Sequence, residues 1–272
     1  MTNLNEVNQI EAAEGFAKAG VGERFKKVKT LCKGKKYGYA LIELARIIRL
    51  TDKPYKAYSK MGHIYFSLGK YEKAIEKFNK ALGDSAEPSL FYYMGRAYAK
   101  LGYFINAKDC LGQALALKGD ANYYFERSRV CSRAGDFDGA IDDINKAIAI
   151  KPDKSKYYYM RGMLNLKLEH MSEAILDFSG AIFLNSKDIM AYFMRGRAFR
   201  YLCQTEKAIA DYDVVIENDP TYYAFYGRGL SYMDKKDYNK AIKDFEKVLM
   251  LKPNDYRALN KINIAKAKLA CA

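Results

Sequence analysis

Along most of the chain, apolar residues recur at the three- and four-residue spacing of amphipathic helices, and the pattern breaks at short intervals. In KMGHIYFSLGKYEKAIEKFNKAL (60–82) the break falls at Gly69, and the matching breaks downstream fall at Gly102 and Gly135. The pattern predicts pairs of short helices joined by tight turns. The pairs are alike. A small residue stands at 62, 95, 128, 162, 196 and 229, in steps of 33 or 34 residues. An alanine stands twelve residues beyond each, at 74, 107, 140, 174, 208 and 241. Self-similarity at such a period marks a repeat array, in which each unit buries its apolar face on its neighbours.

Helix–turn–helix units of this length and pattern resemble the tetratricopeptide repeat. In that repeat's own counting, position 4 is a large aromatic: Tyr58, Phe91, Tyr124, Tyr158, Tyr192 and Phe225. The small residue is position 8 and the alanine is position 20. Position 24 is large: Phe78, Leu111, Ile144, Phe178, Tyr212 and Phe245. Pro152, Pro220 and Pro253 close three of the units. The resemblance covers residues 55–254 and implies an all-α, right-handed superhelical solenoid of repeats at 55–87, 88–120, 121–154, 155–188, 189–221 and 222–254. A degenerate seventh fits 21–54, with Arg24 where an aromatic is usual and Val28 where glycine is usual. Residues 255–272 are expected to form a capping helix, and 1–20 a short N-terminal helix or a frayed end. Small residues at 8 and 20 let paired helices approach closely, and the position-4 ring is expected to fill the core beside them.

Charge adds to this picture. The chain has 46 Lys and Arg against 32 Asp and Glu, a formal net charge of +14. Some of the arginines follow an internal rule. Arg127, Arg161, Arg195 and Arg228 at position 7 face Asp143, Asp177, Asp211 and Asp244 sixteen residues later, and Lys27 faces Glu43. Where position 7 is Met61 or Met94, the partner position is Lys77 or Cys110. This covariation predicts ion pairs inside the repeats, so these arginines are excluded from the binding residues.

In the family that this chain resembles, the first helix of each repeat lines a concave surface, and positions 2, 5, 9, 12 and 13 share one face. Eleven of those positions are basic: Lys29, Lys33, Lys56, Arg96, Lys100, Arg129, Arg133, Lys156, Lys167, Arg197 and Arg200. One, Asp234, is acidic. Aromatics interleave with them at position 5, and His63 falls on the same face. The expected binding residues are therefore Lys29, Lys33, Lys56, His63, Tyr92, Arg96, Lys100, Phe125, Arg129, Arg133, Tyr159, Lys167, Phe193, Arg197, Arg200 and Tyr226. Cations beside exposed ring faces suit an acidic segment of a partner protein with apolar anchors. Single-stranded nucleic acid is the alternative occupant, and self-assembly through stacked repeat ends is a further alternative.

Two ligand-specific patterns of the family are missing. The carboxylate clamp for chaperone tails would need Lys and Asn where Ser59 and His63 stand, Asn at Tyr93, and Lys and Arg at Asn122 and Glu126. The position-6 asparagine ladder is replaced by Lys60, Tyr93, Glu126, Met160, Met194 and Gly227. His63 reads as a polar contact, and the lysines at 26, 27, 29, 33, 35 and 36 read as a solvated face. Cys110 and Cys131 read as small buried residues.

No catalytic, phosphate-loop or metal-ligand pattern is present, so a non-enzymatic scaffold without cofactor or metal is expected. The five cysteines form no C-x-x-C pair, which fits a reducing compartment, and a cytoplasmic location is expected. No apolar run is long enough to cross a membrane.

Overall fold

The computed structural model describes residues 20–83 and 86–271. The expectation for the first nineteen residues lies outside the described residues. Within them all regular structure is helical. The helices are α1 over 20–33, α2 Tyr37–Arg49, α3 Tyr55–Ser67, α4 Tyr71–Leu82, α5 Pro88–Leu101, α6 Phe104–Leu117, α7 Ala121–Ala134, α8 Phe137–Ile150, α9 Ser155–Lys167, α10 Met171–Leu184, α11 Ile189–Tyr201, α12 Thr205–Asn218, α13 Tyr222–Asp234, α14 Tyr238–Leu251 and α15 Tyr256–Ala270. They form two compact units, the first ending at Asp136 and the second starting at Phe137.

Each unit is built from helix hairpins. Among the described residues, seven tight turns between consecutive helices share one device, a left-handed residue at position 15 of the repeat. It is glycine at 69, 102 and 135, and Lys35, Glu169, Cys203 and Lys236 elsewhere, with φ between 55° and 86°. The next residue donates its N–H back across the turn, as Lys70 does to Tyr65 O at 2.9 Å and Gln204 to Phe199 O at 2.9 Å. This bond satisfies a carbonyl that the helix end leaves open.

The core of each hairpin is filled by position 24. Phe78, Phe178 and Phe245 are wholly buried, and each lies against a position-8 glycine of the facing helix. A Cβ on Gly62 would meet the Phe78 ring at 2.5 Å, and one on Gly229 would meet Phe245 at 2.9 Å. The position-4 rings do not take this place, contrary to the sequence expectation. They are only half-buried, and the position-7 guanidinium sits over them: Arg161 over Tyr158 at 5.7 Å, Arg195 over Tyr192 at 5.5 Å, Arg228 over Phe225 at 5.8 Å. With glycine at position 8, the position-24 ring of the opposite helix occupies the space beside it.

The expected ion pairs form in the second unit. Arg161 donates Nε and Nη2 to Asp177 at 2.9 and 2.6 Å, and Arg195 and Arg228 clasp Asp211 and Asp244 in the same forked way. The remaining Nη1 reaches back to position 25 of the preceding repeat: Asn145 at 2.7 Å, Ser179 at 3.0 Å, Asp213 at 2.6 Å. One guanidinium thus closes its own hairpin and ties it to the one before. Burial raises the carboxyl pKa of Asp211 and of Asp244, with the arginine pulling against it. In the first unit Glu43 is buried and accepts from Lys27, Arg24 and Arg46 at 2.8 to 2.9 Å. Arg24, the residue that departs from the aromatic pattern, therefore serves the ion pair.

Candidate functional site

The expected binding residues fall on the odd-numbered helices. In the first unit they are Lys29 and Lys33 on α1, Lys56 and His63 on α3, Tyr92, Arg96 and Lys100 on α5, and Phe125, Arg129 and Arg133 on α7. In the second unit they are Tyr159 and Lys167 on α9, Phe193, Arg197 and Arg200 on α11, and Tyr226 on α13. The position-5 rings are half-buried throughout. Tyr159, Phe193 and Tyr226 each pack edge-on or tilted against the position-24 ring of their own hairpin, with centroids 5.6 to 5.8 Å apart. Each ring therefore helps to hold the core and still shows an edge to solvent.

The first unit brings its rings into a chain. Tyr92 stacks on Tyr123 at 4.8 Å and meets Tyr93 edge-on at 5.2 Å. Tyr93 meets His63 at 4.3 Å, and His63 meets Phe78 at 5.2 Å. Arg96 lies within 5.5 Å of the Phe66, Tyr92 and Tyr93 centroids, so its charge is already spent on three ring faces. Burial lowers the pKa of His63, with Lys60 adding to the effect, and pushes the Tyr92 hydroxyl up to about 12.

Several of the cations have partners that the sequence reading did not foresee. Arg129 donates to both carboxylate oxygens of Glu126 at 3.1 Å. Arg133 donates to Ala99 O at 3.3 Å and covers the Phe104 ring at 5.3 Å. In the second unit Arg200 pairs with Asp234 at 3.2 Å, Lys167 covers Phe137 at 5.1 Å, and Arg197 is exposed and, among the described residues, makes no ion pair. The face is thus less uniformly positive than the position count implies. Glu126 lines a hollow of about 80 Å³ with Arg96, Lys100, Arg129 and Arg133, and Glu87 lines another beside Lys56.

The face also includes residues that the reading missed, chiefly Lys60 and Glu126 at position 6. Position 6 follows position 2 by four residues, so a helix places both on one side, and that spacing could have found them. Among the described residues, Lys29, Lys33 and Lys60 on the first unit's face make no ion pair. A cleft of about 480 Å³ between α1 and α3 is lined by Lys29, Lys33, Lys60 and His63, over Val28 and Ile64. Two of the lysines read as a solvated face therefore border a cavity, while Lys27 is held by Glu43. Among the described residues, no cluster of His, Cys, Asp and Glu could hold a metal ion, and no helix is long and apolar enough to cross a membrane.

Comparison with known proteins gives one family. Models of the tetratricopeptide repeat match residues 62–102, 92–155, 190–222 and 222–255, together more than half of the 272 residues. Among curated proteins, human sperm-associated antigen 1 is 31% identical over 87 residues, which are 32% of this chain and 9% of that protein. The chain therefore corresponds to a small part of that relative. Among solved structures, the C-terminal part of a repeat-containing protein from Cytophaga hutchinsonii aligns with TM-score 0.75 at 20% identity, over 88% of this chain and 99% of that one. YrrB, described as a TPR protein with an unusual peptide-binding site, aligns with TM-score 0.61 at 24% identity, over 67% of this chain and 96% of its own.

Proposed function

The chain belongs to the tetratricopeptide-repeat family, and from that premise we propose that it is a non-catalytic adaptor whose first-helix faces bind an acidic segment of a partner protein. Repeats of this family serve as protein-interaction modules. The observation that carries the acidic preference is the pairing of half-buried rings with exposed cations on the odd-numbered helices, Lys29, Lys33, Lys100 and Arg197 among them. Ring edges offer contact area at small entropic cost, and the cations steer an anionic segment onto them. We place the array at residues 21–254 and the cap at 255–272. A cytoplasmic location is part of the same reading, supported by five free cysteines.

The test is a pull-down with the wild type beside a Lys100→Glu/Arg129→Glu/Arg197→Glu variant whose helicity is checked by circular dichroism. Retained proteins are digested on the bait and the protected peptides sequenced. Peptides rich in Asp and Glu, held by the wild type and lost from the variant, support the proposal. Protected peptides without acidic bias refute the acidic preference. Nuclease-sensitive retention of nucleic acid would replace the peptide reading with the nucleic-acid one.

A further inference from the structure

We infer that the α1–α3 cleft of the first unit anchors an acidic side chain, and that the hollow adjoining it takes an apolar side chain of the same partner segment. This deepens the adaptor reading and rests on it. Lys29 and Lys33 stand one turn apart on α1, and Lys60 faces them from α3. Among the described residues no carboxylate lines this cleft, and none of the three lysines makes an ion pair. The floor is apolar, with Val28 and Ile64 at 1% and 4% exposure. Three lysines lining one cleft over an apolar floor concentrate positive potential there. An anion there gives the lysines a partner that none of the described residues supplies. The arginines of the first unit's face are unlike these, since Arg96 lies against rings, Arg129 donates to Glu126 and Arg133 to Ala99 O.

The second hollow, about 310 Å³, shares Lys60 and His63 with the first and is lined by Phe25, Tyr55 and Leu90 together with Lys56, Ser59 and Glu87. Its apolar walls and the shared residues make the two hollows adjacent, so a short extended segment fills both. Glu87 borders the apolar hollow. A phosphodiester backbone running through both would meet that carboxylate. Phe25, Tyr55 and Leu90 offer contact to a leucine-like side chain, which a phosphodiester backbone lacks, and this favours a peptide.

The probe is a fluorescein-labelled peptide with a pair of glutamates beside a pair of leucines in a Gly-Ser frame, measured by anisotropy against the full chain. Counterparts carry glutamine for glutamate, or serine for leucine. The expected result is a loss of at least tenfold for either counterpart, and for the Lys29→Gln/Lys33→Gln/Lys60→Gln protein, whose melting temperature stays put. A Lys243→Gln/Lys247→Gln protein, altered on α14, should bind as the wild type. If the lysine triple binds normally while Arg197→Gln does not, the cleft is not the anchor and the adaptor reading survives. If the wild type discriminates none of the peptides, both fall. If oligouridylate displaces the peptide and binds with the steeper salt dependence, the site is for nucleic acid and the inference is overturned.

Discussion

At the residue scale, what distinguishes this chain is how each arginine is used. Arg161 is only partly exposed, and its fork holds an Asp177 carboxylate that is 5% exposed. Arg161→Ala leaves that carboxylate buried without its cation and should cost about 3 kcal/mol in chemical denaturation, at the lower end for breaking a buried pair. Arg161→Ala/Asp177→Leu should recover much of the loss. The position-15 turns make an opposite prediction. Glu169 and Cys203 hold left-handed φ values of 60° and 56°, where a Cβ is strained. Glu169→Gly and Cys203→Gly should each stabilise the fold by roughly 0.5–1 kcal/mol, the relief of strain exceeding glycine's entropic cost. A rise in melting temperature for both checks it, and a fall in either would show that the turn is set by other contacts.

At the scale of the helix pair, close approach is the controlling quantity. Gly62→Ala drives a methyl into the Phe78 ring, and α3 and α4 must part by more than a relaxed side chain allows. The expected cost is about 1–3 kcal/mol, read as faster amide exchange along both helices. The same pair carries a pH response through His63. Its folded pKa lies below the ordinary 6.5, because burial against Tyr93 and Phe78 disfavours the charged ring. The unfolded chain takes up the proton more readily, so this contribution to stability is full above about pH 6.5 and is lost as pH falls below it. His63→Gln should flatten that part of the pH–stability curve. Glu43 acts in a separate window. Its cation partners lower its pKa, so its contribution is present above the usual carboxylate range and disappears only as pH falls through the depressed value.

At the scale of the whole molecule, charge governs association. With a net charge of +14, any anionic ligand is attracted, and salt dependence separates the classes. A peptide neutralising two or three lysines should lose about tenfold or less between 50 and 200 mM salt, whereas six or more phosphate contacts would lose about a thousandfold or more. Titration of the wild type across that range measures which applies.

The helix pairs, their turns and the ion pairs inside the second unit's repeats were legible in the sequence, because each depends on spacing within one short stretch. Sixteen residues from Arg195 to Asp211 is a local distance in a hairpin, and a glycine at 102 announces its turn without help from distant residues. The third arm of each arginine was not legible, since Ser179 belongs to the neighbouring repeat and only stacking brings it within reach. Nor was the inversion of the core, with position 24 rather than position 4 over the glycine, because both are large and only packing decides which arrives first. On the binding face, sequence supplied the cations and rings, while tertiary structure decided which charges were spent. Arg96 is held among rings and Arg129 by Glu126, yet Lys29, Lys33 and Lys60 line one cleft with no ion pair among the described residues. Charge along a chain is a property of composition, but whether it remains available is set by what the fold places within three or four ångströms of it.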